Sequence, residues 1–396
     1  MGNNRLLELK NQFIKQFGES EKKIRFFAAP GRVNLIGEHV DYCGGYVFPA
    51  ALTLDTIVAV RENDSNVINL CATDLDGVYK VDLSDIDKAK DLRWGNYQAG
   101  MAKELMEMGI DVKGVDMLFD GTIPYGAGLS SSASIEVVTG YALAKLFAEE
   151  MPSVIDIAKA GKRCENTFVG VNCGIMDQFA SAMGKKDCAI LLNCDTLEYE
   201  YVPLDLGDYV LILANTNVKH KLGSSKYNER RGEVEYGHEV IHKAVPTDKR
   251  PYLCNYTVED YIKYEKYIED ETIKKRVKHV IYENERVKAA TNVLKQGDLM
   301  KFGEILCEAN DSIRHLYEVT GFELDTMFDL AVKEEGCIGS RMTGAGFGGC
   351  TVNIVHKDYI DNFKESVGAK YKELTGNTAD FYICKIGDGV RELFNN

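Results

Sequence analysis

A segment rich in glycine and serine that runs straight into a helical pattern constrains the fold of this chain most strongly. Residues 124–134 read Pro-Tyr-Gly-Ala-Gly-Leu-Ser-Ser-Ser-Ala-Ser, and apolar residues then recur at helical spacing from Ile135 to Leu146. A β-type run at 115–119 precedes them. Glycines permit close backbone approach, and the first turn of a helix presents free N–H groups with a partial positive charge. The pattern predicts a strand, an anion-binding loop and a helix in succession.

The serines of this loop add hydroxyl groups that reach phosphate oxygens or a magnesium ion. No G-x-x-x-x-G-K-[ST] pattern occurs in the sequence, so the loop is not a Walker motif. The alternative is a serine-rich helix cap with a tight turn, but three successive serines exceed what one cap needs. We therefore predict a phosphate-binding loop. Its residues are Gly126, Ala127, Gly128, Leu129, Ser130, Ser131, Ser132, Ala133 and Ser134.

Residues 31–45 place four polar or charged side chains between glycines, with no helical stripe. These are Arg32, Glu38, His39 and Asp41. Four such groups are costly to bury without partners, so packing alone does not explain them. Carboxylates accept hydrogen bonds from hydroxyls, whereas guanidinium and imidazole donate, and this mixture suits a polyhydroxylated ligand. A solvated turn after a strand is the alternative interpretation.

A third glycine segment, residues 344–349, formally matches the dinucleotide pattern G-x-G-x-x-G. That pattern requires a following helix, but residues 350–355 alternate like a strand, so we reject a dinucleotide fold. Glycine-rich backbone lying close to a ligand or to the serine loop is the expected arrangement. A bulged turn is the alternative.

Two carboxylates are candidates for catalysis. Asp177 follows the turn at Gly174 and opens a predicted helix, whereas Glu165 lies on a predicted helix beside Lys162 and Arg163. The alternatives are a carboxylate in a first helical turn for Asp177 and a surface ion pair for Glu165. If ATP binds, the acceptor hydroxyl needs a base or orienting group, and the developing charge needs an arginine and Mg²⁺.

Three aromatic residues are candidates for ligand contact. Trp94, the only tryptophan, and Tyr97 offer a stacking face for adenine, with packing of a helix start as the alternative. Tyr227, in a polar segment, offers a donor to a sugar hydroxyl, with a solvated basic helix start as the alternative.

The length of 396 residues suits two domains. Strand patterns come first and strand–helix units later, which predicts an α+β fold with mixed sheets. No linker or repeat interrupts the sequence. We therefore predict closely packed domains at 1–205 and 206–396, with a ligand site in the cleft between them.

Composition excludes several classes of partner. The net charge of −14 argues against nucleic acid, whose phosphates attract a basic protein. Eleven cysteines without a C-x-x-C pair argue against a zinc or redox motif and predict a reduced cytoplasmic protein. No apolar run approaches the roughly 20 residues that span a bilayer, so we expect no membrane partner.

Taken together, these segments resemble the galactokinases of the GHMP small-molecule kinase superfamily. Residues 31–45 resemble the family's sugar-binding signature, the serine loop its phosphate-binding motif, and residues 341–350 its third motif. The motifs keep the family's order, which makes three together far more specific than any one alone.

The resemblance implies ATP-dependent phosphorylation of the anomeric hydroxyl of α-D-galactose, in a cleft between two domains, with Mg²⁺. It implies Asp177 as the base and Arg32 as the partner that stabilises charge. Ser132 (or its neighbour Ser131) and Glu165 would hold Mg²⁺, and galactose and ATP would be the partners of a monomer or dimer. The implied sugar contacts are Glu38, His39, Asp41, Gly174, Asp177 and Tyr227. The implied nucleotide contacts are Trp94, Tyr97 and residues 126–134.

Two residues depart from the family pattern. Cys43 stands where many galactokinases carry Asn, and N-acetylgalactosamine kinases of the family can carry Cys there; Asn310 stands where many relatives carry His. A kinase for N-acetylgalactosamine or a related sugar is therefore one alternative. A non-catalytic sensor of galactose and ATP is another, but the full-length serine loop, Arg32 and Asp177 argue against it.

Overall fold

The computed structural model describes residues 2–218 and 223–394. The helices are α1 (Gly2–Phe17), α2 (Gly95–Glu107), α3 (Ser131–Phe147), α4 (Val154–Arg163), α5 (Met176–Met183), α6 (Gly223–Ala244), α7 (Val258–Tyr264), α8 (Glu271–Lys295), α9 (Leu299–Ser312), α10 (Phe322–Ala331) and α11 (Ile360–Thr375). The strands are β1 (Arg25–Asn34), β2 (Tyr46–Val47), β3 (Pro49–Glu62), β4 (Val67–Ala72), β5 (Leu75–Asp82), β6 (Val115–Gly121), β7 (Cys188–Asn193), β8 (Tyr199–Pro203), β9 (Tyr209–Asn215), β10 (Cys337–Thr343), β11 (Cys350–His356), β12 (Asp380–Cys384) and β13 (Arg391–Leu393). No helix among these residues is long and apolar enough to cross a membrane.

The first sheet has six strands in the order β13-β1-β3-β6-β4-β5. Its pairs are antiparallel except for β4 and β6, which run parallel, so the predicted mixed sheet is confirmed. Successive strand residues face opposite sides. Phe27 of β1 accordingly joins a core with Val138 of α3, whereas its neighbour Phe26 packs with Phe13 of α1.

The second sheet has the antiparallel order β10-β11-β9-β12, and a small third sheet has the order β2-β7-β8. One face of the second sheet packs on α10 and α11. Its other face shares a hydrophobic core with the first half of the chain, where Leu213 of β9 and Val33 of β1 belong to one cluster. Strand β13 then returns to pair with β1. Because the halves share core and sheet, the division at residue 205 stays a prediction.

The strand–loop–helix succession predicted at the serine loop is confirmed, since β6 ends at Gly121 and α3 begins at Ser131. The rejection of a dinucleotide fold is also confirmed, because β11 follows the third glycine segment directly. Strand β10 was not predicted. Its buried residues include the polar Ser340 and Arg341, so the strand lacks an apolar alternation that the sequence could reveal.

A buried ion pair joins the two halves. The Arg341 guanidinium lies 2.5 Å from Oε2 of Glu38, and it also donates to the carbonyl oxygen of Leu35 at 2.9 Å. Arg341 and Glu38 are 0% and 1% exposed. The other Glu38 oxygen accepts the Gly344 N–H at 2.9 Å. Residues 31–45 are therefore bound to the third glycine segment by charge and by hydrogen bonds.

We predict that Arg341→Met destabilises the fold by about 3–5 kcal/mol, because it leaves the buried Glu38 carboxylate without its cation. Urea unfolding at pH 7.5 measures the change. Arg314→Met is the matched control. Its partners Asp325 and Asp329 are 22% and 44% exposed, so solvent screens the charges and we expect a loss of about 1 kcal/mol or less. Equal losses in the two variants would contradict the proposed importance of the buried pair.

Candidate active site

A cavity of about 430 Å³ opens where residues 31–45, the third glycine segment and helices α5 and α6 meet. It contains most of the site residues predicted from the sequence. Those that line it are Arg32, Glu38, His39, Asp41, Tyr97, Ser132, Glu165, Gly174, Asp177 and Tyr227. Because Arg32 and Gly344 come from opposite halves of the chain, the cavity lies in a cleft between them.

The serine loop borders a second cavity of about 250 Å³, lined by residues 126–132. Arg32, Ser132 and Asp177 border both cavities. The third glycine segment packs on this loop, as expected. A Cβ atom at Gly344, whose φ is +93°, would lie 2.9 Å from the Gly128 carbonyl oxygen. Only glycine permits this close approach of the two backbones.

The Arg32–Asp177 pair stands at the junction of the two cavities. Arg32 Nε and Nη2 donate to the two Asp177 carboxylate oxygens at 2.8 and 3.0 Å. Ser130 adds a hydrogen bond to Oδ2 at 2.5 Å, from a left-handed backbone with φ of +59°. The pair forms because β1 ends beside the first turn of α5, where Asp177 lies. Bidentate geometry holds both side chains in one orientation.

His39 occupies the wall between the glycine segments. Its ring nitrogens lie 2.9 Å from the Tyr42 hydroxyl and 3.1 Å from the Ala345 carbonyl oxygen. Burial lowers the pKa of His39 from 6.5 to about 3, so the ring is neutral at pH 7. A neutral imidazole has one donor nitrogen and one acceptor nitrogen. The Tyr42 hydroxyl and the Ala345 carbonyl therefore fix the orientation of the ring.

Asp41 and Gly174 are in direct contact, which explains the glycine. A Cβ atom at position 174 would overlap the Asp41 carboxylate. Burial and then the charge of Asp177 raise the pKa of Asp41 from 3.8 to about 6. Asp41 is therefore an ionised acceptor at pH 7 but is close to protonation.

Tyr227 closes the same side of the cavity from α6. Its ring lies 5.5 Å from that of His39 and 5.6 Å from that of Tyr42. Burial raises the pKa of the Tyr227 phenol well above 10, so the group is a neutral donor at pH 7. The helix start proposed as the alternative is present, but the ring faces the cavity rather than solvent.

Glu165 and Ser132 line the opposite wall. Glu165 lies in a single π-helical turn, Cys164–Val169, that follows α4, and such turns are frequent at functional sites. Burial raises its pKa, whereas hydrogen bonds from Cys173, Gln178 and Ser132 lower it. Among the described residues, no Lys, Arg or His forms a salt bridge with the Glu165 carboxylate. A hydroxyl and an uncompensated carboxylate are hard oxygen donors that fit a small divalent cation.

Trp94 and Tyr97 do not share one face. Tyr97 lines the main cavity, whereas Trp94 borders a separate cavity of about 60 Å³ beside Ser131. The Trp94 ring packs edge to face on Tyr79 and Phe119 at 5.6 and 5.8 Å. The packing proposed as the alternative is therefore present for Trp94, next to the serine loop.

The two departures from the family pattern lie outside the cavity lining. Cys43 is 6% exposed and belongs to the hydrophobic core. Asn310 is buried and its Oδ1 accepts the Met342 N–H of β10 at 2.9 Å. Asn310 thus supports the strand that carries Arg341.

Sequence patterns missed three groups that hold the site together. Gln178 and Glu136 are fully buried beside Glu165, and Arg341 is buried against Glu38. The position of Gln178 next to Asp177 was the one available signal. The others lack a local pattern, because their partners lie far away in the sequence.

Comparison with known proteins agrees with this geometry. A model of the galactokinase galactose-binding signature matches residues 11–62, and the N-terminal and C-terminal GHMP kinase models match residues 96–185 and 289–373. Galactokinase of Clostridium tetani is 46% identical over 99% of this chain and 98% of that protein. Galactokinase of Bacillus subtilis is 45% identical, and 98% of each chain is covered. The chain belongs to the galactokinase family.

Solved structures support the family and the fold. The crystal structure of Lactococcus lactis galactokinase complexed with galactose matches with a TM-score of 0.94 and 40% identity, over 98% of this chain and 100% of that one. Mevalonate kinase of Methanococcus jannaschii matches with a TM-score of 0.63 at 19% identity, which shows a shared fold alone. The fold is therefore that of the GHMP kinases, and the predicted two-domain α+β architecture is confirmed.

The raised pKa of Asp41 predicts a stability change with pH. Between about pH 4 and pH 6 the folded state keeps a proton that the unfolded chain loses, so the free energy of unfolding falls as pH rises through this window. Asp41→Asn removes the free-energy cost of ionising this buried carboxyl group beside Asp177. We expect it to be about 1–2 kcal/mol more stable than the native protein at pH 7.5, with a smaller difference at pH 5.

Urea unfolding at the two pH values measures this difference. Asp111→Asn is the control, because the Asp111 side chain is 84% exposed and should show no pH-dependent gain. A gain that is the same at pH 5 and pH 7.5 would contradict the titration of Asp41.

Proposed function

We propose that this protein transfers the γ-phosphoryl group of ATP to the anomeric hydroxyl of α-D-galactose, giving galactose 1-phosphate. The observation that carries the proposal is the Arg32–Asp177 pair, which borders both the polar cavity and the serine loop. A kinase needs an acceptor hydroxyl and a phosphoryl group to meet in line at one point. The junction of the two cavities, which Arg32 and Asp177 both border, is our candidate for this meeting point.

Asp177 acts on the sugar hydroxyl, either by accepting its proton or by orienting it. A base must lie within hydrogen-bond reach of that proton, and Asp177 lines the cavity that would hold the sugar. Arg32 faces the phosphate loop and offsets negative charge that develops on the transferred group. The bidentate contact between them holds both groups ready without reorganisation.

Ser132 and Glu165 would hold Mg²⁺, which supplies charge neutralisation at the phosphates. Their oxygen atoms suit this ion, as the uncompensated Glu165 carboxylate indicates. The loop backbone and the first turn of α3 would bind the phosphates at residues 126–134, and Trp94 and Tyr97 would contact the nucleotide.

The sugar would be held by groups of complementary character. Asp41 accepts hydrogen bonds, neutral Tyr227 donates, and Gly174 leaves room for Asp41. Glu38 and His39 complete the proposed set, with Asp177 at the reacting hydroxyl. Cys43 does not line the cavity, so its departure from the family pattern gives no direct contact that would favour an N-acetylamino group on the sugar.

We also propose a cytoplasmic location and a monomer or dimer. Eleven free cysteines support a reducing compartment.

A substrate panel tests the function. Purified protein with Mg-ATP should release ADP with galactose and much less with glucose, whose O4 has the opposite configuration. Galactosamine and N-acetylgalactosamine complete the panel, with ADP release followed by a coupled assay. Absence of galactose-dependent ADP release would refute the proposal. Faster turnover of N-acetylgalactosamine would identify that sugar, rather than galactose, as the substrate.

Asp177→Asn should lower kcat by about 10²–10⁴-fold, because the amide is a poor proton acceptor. Galactose binding measured by calorimetry should persist, since the amide keeps the size of the side chain. Asp208→Asn, an exposed carboxylate paired with Lys357, is the control and should keep full activity. Near-native turnover in Asp177→Asn would remove its proposed role.

A further inference from the structure

One buried amide joins two carboxylates behind the cavity. Gln178 follows Asp177 in α5 and is 0% exposed. Its Nε2 donates to Glu165 Oε2 at 2.7 Å and to Glu136 Oε2 at 2.9 Å. An amide nitrogen carries two hydrogens, so both are used. Glu136 comes from α3, and the amide therefore connects three segments of the site.

Two of the three donors around Glu165 converge on one of its oxygen atoms. Besides Gln178, the Cys173 thiol lies 3.2 Å from the same Oε2. Cys173 belongs to the loop before α5 and lines the cavity. With Oε2 held by these two donors, we assign Oε1 to a ligand in the cavity, where the Ser132 hydroxyl also approaches the carboxylate.

We propose that Gln178 is a positioning residue that directs Glu165 Oε1 toward the cation of the bound nucleotide, with Cys173 as a second donor and Glu136 as the anchor of the amide. The inference rests on the proposed function. Hydrogen bonds that orient a ligating carboxylate in advance strengthen metal binding, and their removal typically costs 10–100-fold in affinity. The anchor matters because an amide held by Glu165 alone can rotate about its side chain.

Glu136 is suited to this anchoring role. It is 0% exposed, and among the described residues no cation pairs with it. Gly161 lies against the same pair, where a Cβ atom would come 2.9 Å from Gln178 Cγ and 3.5 Å from Glu136 Oε2. The amide therefore has little room for another orientation.

A role in folding alone and a positioning role predict different results. A role in folding lowers stability and weakens every ligand alike. A positioning role weakens only the part of nucleotide affinity that depends on the cation. The informative quantity is the ratio of the Kd of ADP in EDTA to the Kd of ADP in Mg²⁺, measured by calorimetry on the full chain.

Gln178→Leu removes both hydrogen bonds at similar size. We expect it to reduce the Mg²⁺-dependent gain in ADP affinity by about 10-fold or more. The Kd of ADP in EDTA and the Kd of galactose should stay within about twofold of the native values. Glu136→Leu should show a similar loss, and Glu136→Gln, which keeps an acceptor oxygen for Gln178, should restore most of the gain.

Cys173 supplies a matched pair of variants in a loop, where a substitution disturbs folding least. Cys173→Ala should reduce the Mg²⁺-dependent gain by a few fold, and Cys173→Ser, which keeps a donor, should restore it. These two variants decide the matter if Gln178→Leu does not fold.

An unchanged Mg²⁺-dependent gain in Gln178→Leu, or in Cys173→Ala where the former does not fold, would overturn the inference. So would an equal loss of metal-free ADP and galactose affinity. Failure of the proposed function would show separately, as native protein that releases no ADP with galactose. A Mg²⁺-dependent gain that is still sensitive to these substitutions would then support the positioning role.

Discussion

The ion pair between Arg341 and Glu38 is the interaction on which the site depends. Both groups are almost fully buried, and one comes from the first sheet region while the other lies on the second sheet. Each would be costly to bury alone, so the folded state requires the two halves to meet in one register. Thr343 strengthens this contact by exchanging hydrogen bonds with the backbone of Asn34 at 3.0 and 3.1 Å. The cavity exists because this contact holds its two walls together.

Charge is distributed around that cavity in a way that suits phosphoryl transfer. The Arg32 guanidinium reaches the Gly128 carbonyl at 2.6 Å as well as Asp177, so one side chain connects the serine loop to the Asp177 carboxylate. The charge of Asp177 raises the pKa of both Asp41 and Glu165, so the three carboxylates lie close together. This repulsion between carboxylates disfavours their simultaneous ionisation in the free protein.

Several local elements around the candidate site could be predicted from the sequence. The serine loop and its helix, the strand after the third glycine segment, and the helix start at Asp177 are local patterns, and the structure has each of them. The tertiary contacts could not be predicted from local sequence patterns in the same way. Glu38 lines the cavity as Asp41 does, but no local pattern predicted that its oxygens also contact Arg341, Asn34, Thr343 and the Gly344 N–H. Trp94 and Tyr97, three residues apart on the chain, border different cavities, since Trp94 packs on Tyr79 and Phe119 of the first sheet.

By itself the sequence determined the order of strands, loops and helices around the three glycine segments, and with it the family. This follows because turn geometry, helix starts and strand alternation depend on neighbouring residues. Only the tertiary structure decided which charged and polar groups contact one another. It set Arg341 against Glu38, Arg32 against Asp177, and Gln178 between Glu136 and Glu165, since each pairing spans residues that are distant in the chain. The serine and glycine loop that constrains the fold is local, but its position between Arg32 and Gly344 depends on both halves of the protein.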